Sequence, residues 1–309
     1  MGEIMNQPII SICIPTKNRV DILRETLKSI LNENINPAIF EICVSDNSLT
    51  DETKNLINEE FSEVTNLRYN KSDCQGFLNS IEALKLGKGK LLKLHNDYSK
   101  FTRNGLILMI KRIETYTMTQ PTIFFAMHSL ENMHDVVEFD SFDNFLNNIS
   151  YMSTWSSAFS IWKTDLDKLI AENVQVDHMF PHTTLLFSLT EKEQYVVDNS
   201  AYVENLPLKR KGGYNLIDNF VHIYLTMVSS LLKKQIIRQE TYNKIEKDII
   251  KFSAHWYAVV KSNKNFTFTF ENKNELIKNQ CGKGAVKKFY CYFCYYYAKI
   301  LAKKCLGRE

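Results

Sequence analysis

The sequence predicts an α/β protein: a mostly parallel sheet with helices on both faces, followed by a helical C-terminal region. Three observations predict it. Short β-branched apolar runs alternate with helical stripes over roughly the first 125 residues. Polar clusters follow the first, second and fourth of those runs. From Asn215 onward the apolar residues recur at helical spacing.

In order, Ile9–Ile14 reads as a buried strand that stops at Pro15, and Val20, Leu23, Leu27, Ile30 and Leu31 form one face of a helix. Phe40–Val44 is a second buried strand. Ser48 and Asp51 after it are spaced like a capping box for the next helix. Leu67–Tyr69 reads as a third strand, Gly76–Leu86 as helix and Lys90–Leu94 as a fourth strand. Arg103–Tyr116 reads as helix and Thr122–Met127 as a fifth strand. Residues 140–202 are mixed, with strands near Ala158–Trp162 and Gln194–Val197 and helices near Asp165–Ala171 and Thr183–Leu189. Long stripes at Leu216–Leu232 and Ile245–Val260 precede a polar stretch and a final helix. The Lys209–Gly213 loop is the expected boundary, giving domains 1–212 and 213–309.

Composition excludes some classes. Hydrophobic residues are 44% and charged residues 24% of 309, as in an ordinary globular chain, and the net charge of +3 points to no partner. The seven cysteines are odd in number and scattered, and the N-terminus reads as lacking a secretory signal. A reducing, cytoplasmic compartment is expected, with no disulfide framework. Cys291 and Cys294 form a C-x-x-C without a second ligand pair, which is no zinc site.

In open α/β sheets the ligand crevice lies beyond the carboxyl ends of the strands. The turn after the first strand, Pro15-Thr16-Lys17-Asn18-Arg19, contains no glycine, which argues against a dinucleotide site. A P-loop motif is also absent from the sequence. Three strand ends, Lys17-Asn18-Arg19, Asp46-Asn47 and Asn96-Asp97, are expected to converge on one mouth.

Four segments, in order, resemble the family 2 glycosyltransferases of the GT-A fold. They are Ser11–Arg19, Ile42–Thr53, Gly76–Leu84 with Gly87-Lys88-Gly89, and Leu91–Asp97. The resemblance covers roughly the first 110 residues and implies a Rossmann-like nucleotide-sugar domain. By it, Asp46 would accept a hydrogen bond from the nucleobase, the alternative being a turn cap. Pro15 and Thr16 would line the nucleoside. Arg19 would lie near the base or diphosphate, or be a solvated helix start. Asp97, with Asn96 beside it, would be the last position of the D-x-D motif and hold Mn²⁺ or Mg²⁺. His95-Asn96-Asp97 has lost the first acid of that motif.

The family inverts the anomeric centre by one displacement, so an acceptor hydroxyl must lose a proton to a base. The resemblance places this base well beyond the metal motif, which implies Asp177, 80 residues after Asp97 and just before a helix, the alternative being helix N-terminal electrostatics; His182 and His178 are rivals. Trp155, with Ser156 and Ser157, reads either as a sugar-stacking surface or as core. No Q-x-x-R-W motif is present, which implies one addition per encounter. Lys209, Arg210 and Lys211 read as a loop that closes over the diphosphate or meets a lipid phosphate, or as a solvated linker.

The last segment interleaves Lys283, Lys287, Lys288, Lys299, Lys303, Lys304 and Arg308 with the uncharged run Phe289–Ala298. That run is too short to span a bilayer, and lysine with tyrosine and phenylalanine suits an anionic lipid interface. The expected partners are a nucleotide-sugar donor, a lipid-linked saccharide acceptor and the inner face of the cell membrane. Nucleic acid is not expected, and a homo-oligomer is left open. A GT-A-like module that binds without catalysing is the alternative reading.

Overall fold

The computed structural model describes residues 7–131, 133–207 and 211–306. Lys209, Arg210 and Arg308 therefore lie outside the described residues, as does the side chain of Lys211. The chain divides into two compact units. The first contains the chain up to Phe145 together with Met152–Pro207; the second contains Leu146–Tyr151 and the chain from Leu208.

The first unit begins with β1 (Ile10–Thr16), α1 (Val20–Leu31), β2 (Phe40–Asp46), α2 (Glu52–Glu60), β3 (Leu67–Lys71), α3 (Asn79–Leu86) and β4 (Leu91–Leu94). Then come β5 (Ser99–Phe101), α4 (Gly105–Thr115), β6 (Thr122–Phe125), β7 (Val136–Phe139) and α5 (Phe142–Ile149), whose last residues enter the second unit. It closes with β8 (Ser160–Trp162), α6 (Lys163–Ala171), α7 (Pro181–Phe187), β9 (Tyr195–Asp198) and β10 (Val203–Asn205).

The central sheet has the order β3-β2-β1-β4-β8. Its first four strands are parallel, and β8 runs antiparallel to β4 at the edge. Ile10, Ile12 and Ile14 of β1 are fully buried, as are Ile42 and Val44 of β2. Burying such side chains contributes about 1.5–3 kcal/mol each. Cys13 and Cys43, on the opposite face, are equally buried, so up to Ile14 and Val44 both strands read as largely apolar runs interrupted only by Ser11 and Glu41. Leu23, Leu27 and Ile30 bring the apolar stripe of α1 into the same core.

The Gly87-Lys88-Gly89 turn into β4 is set by Glu41. Its Oε1 accepts from Ser11 Oγ at 2.7 Å, from Gly89 N at 3.0 Å and from Lys88 N, while Oε2 pairs with Arg68 Nε at 2.7 Å. Burial alone would raise this carboxyl, but the Ser11 and Lys88 hydrogen bonds and Arg68 hold it below its usual range. A Cβ at residue 89 would lie 2.7 Å from Ser11 N and 2.8 Å from Ile10 C, so only glycine lets the turn close.

Thr122–Phe125 forms a strand as expected, but outside the central sheet. β6 pairs in parallel with β9, and β7 is antiparallel to β9 on its other side. The expected capping box at Ser48 does not form. Ser48 Oγ donates to Asp46 Oδ1 instead, and α2 starts after Asp51 with no side-chain cap.

The second unit contains β11 (Lys211–Asn215), a π-helical turn at Asp218–Tyr224 leading into α8 (Leu225–Lys233), and α9 (Gln239–Ser262). β12 (Phe266–Thr269), α10 (Lys273–Cys281) and α11 (Lys283–Cys305) follow. Gly212 and Gly213 are not in a free loop: β11 pairs in parallel with β12, and a Cβ on Gly212 would meet Phe268 N at 2.6 Å. α11 packs on α9 through Phe289 and Phe293 against Tyr257 and through Tyr296 against His255. The uncharged run therefore splits: Cys291, Cys294, Tyr295 and Ala298 face outward with Lys287, Lys288 and Lys299. Among the described residues no helix is long and apolar enough to cross a membrane.

Candidate functional site

β1 lies between β2 and β4, so its last residue can reach both neighbouring turns. Thr16 does so. In the parallel register it stands opposite Asp46, and its carbonyl oxygen accepts from Asn47 N at 3.2 Å. Its hydroxyl donates to Asp97 Oδ2 at 2.8 Å. The three strand ends thus close on one another.

Asp97 is 2% exposed. Its Oδ1 pairs with Arg19 Nη1 at 2.9 Å, and its backbone carbonyl accepts from Thr26 Oγ1 at 2.9 Å. Burial raises the Asp97 carboxyl above the usual range, with Arg19 and Thr16 pulling the other way. The Arg19 side chain is 44% exposed, and its guanidinium lies 5.7 Å from the Tyr98 ring centroid. It leaves α1 uncapped and turns across the mouth.

Asp46 is fully buried. Oδ1 accepts from Ser48 N at 2.9 Å and from the Ser48 hydroxyl, while Oδ2 accepts from Tyr69 Oη at 3.2 Å and Lys71 Nζ at 3.3 Å. A nucleobase N–H reaching Oδ2 would share it with, or displace, Tyr69 or Lys71. Burial and the nearby Asp46 carboxylate push the Tyr69 hydroxyl upward. Pro15 pairs with Ser45 in the strand register and is partly exposed. Asn96 Oδ1 lies 3.5 Å from Ser156 Oγ, which brings the Trp155–Ser157 turn to the same mouth. Trp155 is 37% exposed, so it is not core.

His95 stands where the D-x-D motif would have its first acid, and it turns inward. Its Nε2 is 2.9 Å from the Ser99 carbonyl and its ring stacks on Phe101. Burial, with Lys93 nearby, lowers it to about 3, so it is a neutral side chain near neutral pH.

The three candidate bases are placed differently. Asp177 is half-buried, and its Oδ1 accepts from Met179 N and Phe180 N, both at 2.8 Å, shaping the entry to α7. His182, in the first turn of α7, is buried; its Nε2 is 2.9 Å from the Thr154 carbonyl, which assigns the ring proton to Nε2. Burial lowers it to about 4. Thr154 lies two residues before Ser156, so His182 is tied to the turn that meets Asn96. His178 is exposed.

Sequence reasoning missed three residues that build the mouth. Asn79 Nδ2 donates to Ser45 O at 2.8 Å and to Thr16 O at 3.2 Å, stitching β1 to β2 from below. A buried asparagine in an otherwise apolar helix face was the available signal. Lys71 was hidden by its place at the end of a weak strand. Lys93, a lone lysine in the apolar strand Leu91–Leu94, donates to Leu94 O at 2.7 Å and to Ser157 O, holding the Trp155–Ser157 turn on β4. Burial lowers its ammonium to about 7. An open groove of about 810 Å³ near Glu138, Asp140 and Glu191 shares none of its lining residues with this cluster.

At Asp97 the protein offers one carboxylate, an oxygen ligand of the hard kind that Mg²⁺ and Mn²⁺ take. Arg19 shows that Oδ1 already accommodates positive charge. Among the described residues no group of three or more His, Cys, Asp or Glu is placed to hold an ion. An ion at Asp97 would need further oxygens from the donor's phosphates.

A parallel sheet whose central strand joins two acidic turns at its carboxyl end, with an antiparallel edge strand, defines a GT-A-type fold. Residues 11–83 match the family model described as glycosyl transferase family 2. Along the sequence, 207 residues are 24% identical to the abequosyltransferase RfbV of Salmonella typhimurium, covering 59% of this chain and 61% of that one. A further 187-residue alignment is 26% identical to a phenylalanine–tRNA ligase beta subunit of Mycoplasma mycoides, covering 55% of this chain and 22% of that one. The chain thus spans less than two thirds of either relative.

In three dimensions it is similar to S. aureus TarS 1-349 in complex with UDP-GlcNAc, with a TM-score of 0.57 and 12% identity over 97% of this chain and 92% of that one. It is also similar to the mannosyltransferase PcManGT from Pyrobaculum calidifontis in complex with GDP-Man and Mn²⁺, with a TM-score of 0.55 and 13% identity over 98% and 88%. The fold is thus of the GT-A type, and over residues 11–83 the chain is similar to the family 2 glycosyltransferases.

Proposed function

We propose that the protein is an inverting, non-processive hexosyltransferase. It moves one hexose from a nucleoside-diphosphate sugar, a UDP-sugar in our reading, to a hydroxyl of a lipid-linked saccharide in bacterial surface polysaccharide synthesis. The observation that carries this is the junction at Thr16, which brings the Asp46 turn and Asp97 to one mouth. TarS bound to UDP-GlcNAc and the name of RfbV support the donor and the pathway class.

In this reading residues 1–212 bind the donor and catalyse. Asp46 accepts the base N–H, Pro15 and Thr16 line the nucleoside, and Arg19 and Asn96 face the diphosphate. Asp97 holds Mn²⁺ or Mg²⁺, which supplies neutralisation of the charge growing on the departing diphosphate. Asp177 takes the acceptor hydroxyl's proton, with His182 the rival for that role. Residues 213–309 place the enzyme at the inner face of the membrane. There the outward lysines of α11 meet anionic headgroups and Tyr295 enters the interface.

The test is release of UDP from UDP-sugars with Mn²⁺ and a lipid-linked saccharide, with Asp97→Ala as control. Turnover that vanishes in the variant is expected; equal turnover in both would overturn the assignment. One observation favours a second reading, a module that binds donor or glycan without turnover: neutral, inward-turned His95 replaces the first acid of D-x-D. UDP binding by calorimetry without turnover on any UDP-sugar would select it.

A further inference from the structure

The two partners of the Arg19–Asp97 ion pair differ in freedom. The Asp97 carboxylate is held by Thr16 at Oδ2 and by Thr26 at its backbone, and its side chain is 3% exposed. Arg19 is 44% exposed and makes its contact through Nη1 alone. The pair therefore opens by movement of Arg19, not of Asp97. Oδ1 is also the oxygen of Asp97 that Thr16 leaves to a cation. A guanidinium and a divalent ion at that oxygen compete, because each repels the other and each needs the same lone pairs. A freed arginine fork has a matching target in a diphosphate, whose oxygens suit bidentate donation.

We propose that Arg19 is a counter-ion switch: it occupies Asp97 Oδ1 while the donor is absent, and transfers to the donor's diphosphate when a divalent ion takes that oxygen. This deepens the transferase reading and rests on it. It makes ion and nucleotide binding mutually reinforcing, since each removes the obstacle to the other. Without nucleotide the free protein holds the ion weakly, which keeps the mouth from loading metal alone.

The experiment is calorimetry of the full chain with Mn²⁺ alone, UDP alone, and UDP at saturating Mn²⁺, for wild type, Arg19→Gln and Arg19→Lys. Melting temperatures confirm that each variant is folded. The expected result is opposite in sign for the two ligands. Arg19→Gln binds Mn²⁺ alone about tenfold more tightly than wild type, because Asp97 is uncovered. It binds UDP at saturating Mn²⁺ about tenfold more weakly, because the phosphate contact is lost. Arg19→Lys lies between. A merely structural arginine would weaken both ligands or neither. If wild type binds UDP but Arg19→Gln does not gain Mn²⁺ affinity, the switch is overturned and the transferase reading stands. If wild type binds no UDP under any condition, both fall together.

Discussion

Thr16 and Asp97, 81 residues apart in sequence, share a 2.8 Å hydrogen bond that fixes one carboxylate oxygen and leaves the other to a cation. The residue that ends the central strand thereby orients the acid at the end of its neighbour. Thr16→Val removes this donor with little change in volume. We expect donor affinity to fall about tenfold and turnover to fall further, with Thr16→Ser retaining most of both. Steady-state kinetics with UDP release, read as separate kcat and KM, check it.

Asp177→Asn separates a base from a turn former. An amide oxygen can still accept the Met179 and Phe180 amides, so the entry to α7 persists and the melting temperature changes little. If Asp177 takes the acceptor proton, kcat falls by about 10²–10⁴ while donor KM is held. His182→Gln is expected to cost less than Asp177→Asn. The reverse order would move the base to His182.

His182 also gives a pH dependence of stability. Its folded pKa, about 4, lies below the unfolded value of about 6.5 because burial disfavours the charged ring. The unfolded chain thus binds the proton more readily in that interval. The contribution is full above pH 6.5 and is lost as pH falls toward 4, amounting to about 3 kcal/mol. Denaturant melts of wild type and His182→Asn at pH 7.5 and pH 4.5 should differ less at the lower pH.

Gly89→Ala is expected to destabilise by about 2–4 kcal/mol, since the added carbon meets the backbone of β1 and not a flexible side chain. Glu41→Gln should lower stability as well. It removes the charge that pairs with Arg68 and puts an amide where Oε1 or Oε2 now accepts. Thermal melts report both.

The outward face of α11 predicts lipid dependence. Lys287, Lys288 and Lys303 are exposed, whereas Lys304 donates to the Ser262 carbonyl at 2.7 Å. Replacing the first three by glutamate should abolish co-sedimentation with vesicles rich in anionic lipid. The packing of Phe289 and Phe293 on α9 is untouched, so helicity should be unchanged. Neutral vesicles should bind neither form.

Much of this was legible in the sequence, for identifiable reasons. α1 spans Val20–Leu31 as its stripe predicts, and β1 and β2 follow from isoleucine and valine runs buried on both faces. The meeting of Thr16, Asp46 and Asp97 followed from where polar residues cluster at strand ends. What was hidden depends on partners distant in the chain. β5, β7, β10 and β12 are three or four residues long and take their form from β10, β9, β5 and β11 respectively. Ser48 had the spacing of a helix cap, but the buried Asp46 carboxylate binds its hydroxyl more directly. The sequence brought the Arg19 and Asp97 turns to one mouth but not into an ion pair, because that contact depends on how β1 and β4 sit side by side.

Hydrogen exchange should make the hub position of β1 visible. The amides of Asn47 and His95 are bonded to Thr16 and Cys13, so both are expected to exchange only when the central sheet itself opens. The rigidity of the mouth is then inherited from the central sheet. A change of ligand preference would then work through solvent-facing groups such as the side chains of Arg19 and Trp155, above the hydrogen-bonded strand ends.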